Sequence, residues 1–352
     1  MADAQMERTE NFLRLLSEGS GVSGYESGLT AFLENEFAAW SDRVYTDKFG
    51  NLYAGKDGKG GKYTVMLAAH MDEVGLVVTQ VDERGFIRFT DVAGIDARTL
   101  LGQEVVIHGS REVAGVIGSM PPHLLRATEV DQALKMENLG VDVALPAEAA
   151  RALIQVGDII TIKRRVRKLL NQVLAGKSFD DRAGVAVMAV CLEELSERRF
   201  YPNVVAVATT QEEVGLRGAV TAAFSLHPDL GIAIDVTHAA GPDSPATLEL
   251  GKGPAIALGA NVHPAIYRQL VQSARSARLP YQVEPIPGTS GTDAWAMQVS
   301  REGIPTGLLS VPLRYMHTSV ETLDLQDVVL TGKLLAEFIA GLPEEGEELL
   351  CF

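Results

Sequence analysis

Residues 63–69, Tyr-Thr-Val-Met-Leu-Ala-Ala, form a near-continuous apolar run that stops on His70-Met71-Asp72-Glu73. A run of that length, bounded by Gly61 and a polar cluster, fits a strand buried on both faces of a mostly parallel sheet. Two further runs have the same shape: 203–210 stops before Gln211-Glu212-Glu213, and 230–235 stops on Asp235. Helical spacing fills the gaps at 180–195, 215–226, 264–277, 292–300 and 325–342, with more strand candidates at 255–258, 281–286 and 306–310. Strands alternating with helices predict an α/β fold, a mixed and mostly parallel sheet flanked by helices. Two helices, at 10–16 and 26–40, precede it across the Gly19-Ser20-Gly21 breaker, followed by a hairpin over 43–54 that turns at Gly50-Asn51.

The texture changes after Glu73. Short β-rich pieces at 74–81, 86–90, 104–107, 113–118 and 158–162 are separated by glycines and charged turns, with one helical stretch at 146–154. This pattern predicts a small barrel-like β-domain. The chain therefore divides into a discontinuous α/β domain, 1–73 and 169–352, and an inserted β-rich domain, 74–168. The basic stretch 163–168 closes the insert as a solvated strand or linker.

A net charge of -15 argues against nucleic acid and anionic membranes as partners, since phosphate binding needs a basic footprint. No uncharged apolar run reaches a membrane span, and the first residues lack the pattern of a secretory leader. Cys191 lies in an apolar helical run, and Cys351, next to last, is in the wrong place for prenylation. Two cysteines this far apart predict no structural disulfide, so the expected location is the cytoplasm.

Five short motifs stand at strand ends or helix starts: His70-Met-Asp72-Glu73, Asp180-Asp181, Glu212-Glu213, Asp235, and Tyr315-Met-His317. Each alone has a structural reading. Paired acids commonly precede helices, where the helix dipole favours them, and a lone histidine at a strand end is often a satisfied polar group. Together they stand out, because ligands in open α/β sheets bind outside the carboxyl ends of the strands. Carboxylates converging there would repel and raise their own pKa values. Divalent cations remove that conflict, and a mixture of imidazole and carboxylate suits zinc, cobalt or manganese.

In these motifs and their order the chain resembles the tetrahedral (TET) aminopeptidases, metallopeptidases that include glutamyl aminopeptidases and proteins labelled cellulase M. The stretch 288–294, containing Asp293, fits as well, as do Gly115-Val-Ile-Gly118, Pro121-Pro122-His123 and Val156-Gly157-Asp158 in the insert. The resemblance implies a zinc-aminopeptidase-like catalytic domain with a PDZ-like insert. It implies two metal ions about 3.5–4 Å apart, with Asp180 bridging, His70 and Glu213 completing one ion, and Asp235 and His317 the other. Asp72 would orient His70, Glu212 would act as general base on a bridging water, and the Asp180-Asp181 bond would be cis. The implied reaction is removal of N-terminal residues from short peptides, by subunits that associate through the insert into a tetrahedral homododecamer.

Two competing readings keep parts of this picture. A zinc-dependent carboxypeptidase or deacylase shares the bridging aspartate and the Glu-Glu pair, and a non-catalytic scaffold keeps only the fold. His108, His123, His227, His238 and His263 are taken as structural, His123 being the one whose segment could approach a neighbouring subunit's site. Asp293 either lines the substrate pocket or caps the helix it opens, with the cap favoured. The preferred N-terminal residue is not written in any motif.

Overall fold

A computed structural model of the chain describes residues 2–124, 133–242 and 244–346. Cys351 lies outside the described residues. Among these, eleven strands form one mixed sheet whose main path runs Arg43–Thr46, Leu52–Lys56, Asn203–Thr209, Thr64–His70, Leu230–His238, Thr306–Arg314, Glu321–Asp324, Val173–Gly176 and Arg167–Lys168. The three apolar runs become adjacent parallel strands at its centre, with Thr209 opposite His70 and Ala233 opposite Ala68. Parallel pairing sends their carboxyl ends to one edge of the sheet.

Each run is apolar throughout because alternate residues feed different cores. Val65, Leu67 and Ala69 join the core beneath the helices Ala2–Glu18, Phe179–Ser196 and Leu325–Ala340. Met66 and Ala68 face the opposite core, with Ala222 of the helix Arg217–Leu226 and Met297 of the helix Asp293–Gln298. The expected α/β architecture is present.

Between the strands Thr64–His70 and Arg167–Lys168 the chain builds a closed six-stranded antiparallel barrel among the described residues. Its order is Gly75–Val81, Ile87–Val92, Leu139–Asp142, Glu112–Ser119, Glu104–His108 and Ile159–Ile162. Leu76, Ile87, Val105, Ile117, Val141 and Ile160 fill a core of its own. Three strands escaped the sequence reading: Leu139–Asp142, Val173–Gly176 and Glu321–Asp324. Each has only four residues, too few for a period to register, and two contain glycine.

The junction between barrel and sheet is held by buried charge. Arg182 is fully buried and donates to the carbonyls of Leu16, Gly19 and Met71 at 2.8–3.1 Å and to Glu73 Oε1 at 3.1 Å. It thereby satisfies the carboxyl end of the helix Ala2–Glu18 and pins the backbone between His70 and Asp72. Lys177 Nζ meets the other oxygen of Glu73 at 2.6 Å. Removing one partner from such a cluster leaves uncompensated buried charge and orphaned carbonyls. Arg182→Met should lower unfolding stability by about 3–5 kcal/mol, read from denaturant melts. Arg43→Ala, which breaks an exposed pair with Asp57, should shift the same melt far less. Equal shifts from the two substitutions would show that the buried cluster contributes no more than a surface pair.

Candidate metal centre

The carboxyl ends of the central strands open into a cavity of about 390 Å³, lined by His70, Asp180, Glu212, Glu213, Asp235 and His317 among others. All the expected metal-binding residues and Glu212 therefore meet in one place. Asp180 stands at its centre. Its Oδ1 lies 3.1 Å from His70 Nε2, and its Oδ2 lies 3.2 Å from His317 Nε2. His317 Nε2 is also 3.3 Å from Glu213 Oε1. Two sets of atoms are close enough to hold a cation, one from His70, Asp181 and Asp235, the other from His70, Asp180 and Glu213.

Asp72 is fully buried behind these groups. Its carboxylate lies 3.6 Å from His70 Nδ1, whose nearer partner is the Asp72 backbone carbonyl at 3.2 Å. The same carboxylate accepts from Ser23 Oγ at 2.6 Å and from the amides of Glu212 and Glu213 at 3.0 and 3.3 Å. One side chain thus orients the imidazole and fixes the backbone that presents both glutamates.

Glu321 does the corresponding work on the other side and was not singled out from the sequence. It is fully enclosed and accepts from the amides of Phe179 at 2.6 Å, Asp180 at 3.2 Å and His317 at 2.9 Å. Nothing in the sequence marks it apart from its place four residues after His317. Strain gathers here as well: Ser178, Gln211, Tyr315 and His317 all have positive φ, 54–60°. Non-glycine residues in the left-handed region cost of order 1–3 kcal/mol each and persist where surrounding structure dictates them. The Asp180-Asp181 bond is cis.

Electrostatics give the donor set its meaning. Burial, with Asp235 and other acids nearby, pushes Glu212 up to about 10, and burial with Asp235 pushes Asp181 well above the usual range. Burial and Asp180 do the same to Asp235, and burial with Asp180 lifts Glu321 to about 8. Asp180 moves the opposite way: burial opposes ionisation, but the His317 and His70 imidazoles hold its carboxyl well below the usual range. Its carboxylate and that of Glu213 raise His317 to about 11. Asp181 Oδ2 and Glu213 Oε1 are buried without a hydrogen bond. Crowded acids, orphaned carboxylate oxygens and imidazoles turned toward them are what a divalent-cation site looks like.

Residues 50–334 match the M42 glutamyl aminopeptidase family. The chain belongs to that family. A relative from Pyrococcus furiosus, a lysyl aminopeptidase, is 37% identical over 330 residues, covering 92% of this chain and 94% of its own. The TET aminopeptidase from a marine-sediment Thaumarchaeota archaeon superposes with a TM-score of 0.91 at 29% identity, covering 96% of this chain and 97% of that one. The Pyrococcus horikoshii TET1 peptidase, which can assemble into a tetrahedron or a large octahedral shell, gives 0.84 at 30% identity, covering 95% and 100%. The resemblance drawn from the five motifs thus holds, and this M42 metallopeptidase is a peptide hydrolase that uses divalent cations. Among the described residues no helix is long and apolar enough to cross a membrane.

Two minor readings change. Thr292, rather than Asp293, caps the helix Asp293–Gln298, accepting from the Ala294 amide. Asp293 instead lies buried behind the centre, accepting from Thr209 Oγ1 at 2.6 Å, and burial pushes it to about 6. His238, set aside as structural, lines the cavity. His108 pairs with Thr161, His227 with Glu302, and His263 caps the helix Pro264–Ser276. His123 lies exposed in the barrel's short Pro122–Leu124 turn.

Glu212, pushed up to about 10, and His317, raised to about 11, hold protons at pH 7 in the cation-free protein, and burial with neighbouring acids pushes Asp181 and Asp235 in the same direction. Cation binding must displace those protons, so affinity should weaken as pH falls from 8 to 6. Titrations in buffers of differing ionisation enthalpy should show net proton release. Release of none would mean the acids are already ionised without a cation.

Proposed function

We propose that this chain is an aminopeptidase that removes N-terminal residues from short peptides with two divalent cations held by His70, Asp180, Glu213, Asp235 and His317. The observation that carries this is Asp180, whose two carboxylate oxygens face two different imidazoles. The contact of His317 with Glu213 and Asp180 supports a division in which those three would hold one cation and His70 and Asp235, with Asp180, the other, although His70 also lies within reach of Glu213. That differs from the division the family resemblance implied, because His317 lies beside Glu213. The imidazole-carboxylate mixture suits zinc first, with cobalt and manganese as alternatives.

Bound cations of this kind acidify water and polarise a peptide carbonyl. Glu212 then serves as the general base: its carboxylate lies at the cavity wall, 3.8 Å from His70 Nε2, and is not needed as a ligand. It takes the proton of the attacking water and returns it to the leaving amine, as the amide C–N bond breaks. Asp72 keeps His70 and the Glu212 backbone in register during this exchange. The centre sits in a discontinuous catalytic domain, 1–73 and 169–352, into which 74–168 is inserted, and we place the protein in the cytoplasm, where the buried Cys191 thiol stays reduced.

Glu212→Gln should retain its cations and lose turnover by about 10²–10⁴-fold. Metal analysis and initial rates on an aminoacyl-p-nitroanilide test this together, with an N-acylated amino acid expected to remain uncleaved. Near-normal turnover in the variant would remove Glu212 from the role of base.

We further propose that the insert, 74–168, mediates self-association into a tetrahedral homododecamer. The barrel segment displays Leu101, Val116, Met120, Leu124 and Val156 with 49–70% of their surface exposed, and such side chains mark an interaction surface where they form one contiguous patch. The Pyrococcus horikoshii relative can assemble into a tetrahedron or a large octahedral shell, and a hollow shell would admit unfolded peptides while excluding folded proteins. Light scattering should give the mass of twelve chains, and replacing 74–168 by a short linker should abolish it. A monomeric mass for the intact chain at micromolar concentration rules the assembly out.

A further inference from the structure

The loop 315–320 carries His317 away from the end of its strand, so the place of that imidazole depends on what holds the loop. Glu321 accepts from the His317 amide at 2.9 Å. Thr318 Oγ1 donates to the Tyr315 carbonyl at 2.6 Å and accepts from the Val320 amide at 3.2 Å. These bonds close the loop on itself and on the strand that follows it. Tyr315 and His317 nonetheless have positive φ, 60° and 59°, a backbone form that such residues keep only where their surroundings dictate it. A further anchor comes from outside: Ser319 is buried, and its Oγ accepts from Gln103 Nε2 at 2.9 Å.

Gln103 belongs to the insert, and its carboxamide is aimed. Its backbone amide donates to the Leu100 carbonyl at 3.1 Å, its carbonyl accepts from the Ile117 amide at 2.9 Å, and its Nε2 also donates to the Thr99 carbonyl at 2.9 Å. Among the described residues no other side chain of 74–168 hydrogen-bonds the His317 loop. Beside that bond, Ile95 and Ile162 of the insert face Asp180, Glu213, His317 and Thr318 across a space of about 10 Å³, room for about one water molecule. The insert therefore backs the His317–Glu213 pair with an apolar wall and reaches its loop with one directed bond. It brings no cation-binding side chain to the centre, so what it contributes there is geometry. A ligand held in orientation by its neighbours binds a cation more tightly than one free to swing.

We propose that Gln103 is a positioning residue for His317, so that the insert helps to build the cation centre of its own chain, apart from any contact between chains. This rests on the two-cation reading above. Gln103 touches neither substrate nor cation and acts only through Ser319 and the loop. Its influence is confined to the His317 side, because His70 stands at the end of a central strand and takes its orientation from Asp72.

The test titrates the full-length, cation-free protein with cobalt alone and follows the two binding steps by calorimetry, with His317→Ala marking the step that belongs to the His317 side. Gln103→Met keeps the length of the side chain and removes the donor. It should weaken the marked step by about 3–10-fold, below the 10–100-fold typical when a group bonded directly to a ligand is lost, and leave the other step unchanged. Ser319→Ala should give the same loss, and the double variant should lose no more than either single one, since both remove one bond. Gln80→Ala, exposed on the same barrel, should alter neither step. Unchanged binding in Gln103→Met, equal weakening of both steps, or additive losses in the double variant would overturn the assignment. Light scattering at saturating cobalt should give one mass for wild type and variants; a changed mass would assign the bond to association instead. Two cations bound with these losses, but no hydrolysis of an aminoacyl-p-nitroanilide, brings down the aminopeptidase reading and leaves the positioning role standing. No cobalt bound by the wild type overturns both.

Discussion

Everything around the cavity is arranged about one carboxylate with two faces. Asp180 offers Oδ1 to His70 and Oδ2 to His317, and that geometry requires three separate parts of the chain to arrive together. The strand Thr64–His70 delivers one imidazole, the loop after Thr306–Arg314 delivers the other, and the irregular opening of the helix Phe179–Ser196 supplies the aspartate. Asp181, Glu212, Glu213 and Asp235 crowd the same volume with burial, and buried acids this close cannot all ionise without a compensating cation. The fold therefore accepts local electrostatic cost at the place where it binds metal, and recovers it on binding.

That cost is tolerable because the groups one layer out are well satisfied. Asp72 accepts from Ser23, Glu212 and Glu213, while Glu321 accepts from Phe179, Asp180 and His317. Each carboxyl offers its oxygens to backbone amides that would otherwise be orphaned in a dry interior. The two carboxylates divide the centre between them, Asp72 holding the His70 side and Glu321 the His317 side. Rigid support of this kind is what keeps ligands within the narrow geometry that catalysis tolerates.

How much of this was legible in the sequence follows from the same physics. The central strands were visible because a strand buried on both faces must be apolar at every position, and the ligands were visible because they interrupt that pattern at its ends. The barrel was visible as a change of texture. Glu321 was hidden because two of the three amides it holds come from a distant segment, Phe179 and Asp180, and locally it is a glutamate in a four-residue strand. Asp293 was misjudged because helix-start acids usually cap, whereas here Thr292 occupies that role and frees Asp293 to face inward. Which imidazole shares a cation with which carboxylate lies beyond sequence altogether, since it depends on the orientation of Asp180.

The position of the insert is also a consequence of the centre. Glu73 is the last residue before the barrel and the first after Asp72, and its carboxylate accepts from Gly21 N, Lys177, Ser178 and Arg182. The root of the barrel is thus tied to the catalytic-domain side next to Asp72. On the opposite side Gln103 of the barrel segment donates to Ser319 Oγ at 2.9 Å, in the loop between His317 and Glu321. Val74, Ile95 and Ile162 close the space beside Asp180, Glu213 and His317. The insert therefore braces both flanks of the cation centre, through Glu73 at its root and Gln103 at its wall. A domain placed anywhere else in the chain could still associate with a second copy, but it could not touch the two segments that carry the imidazoles.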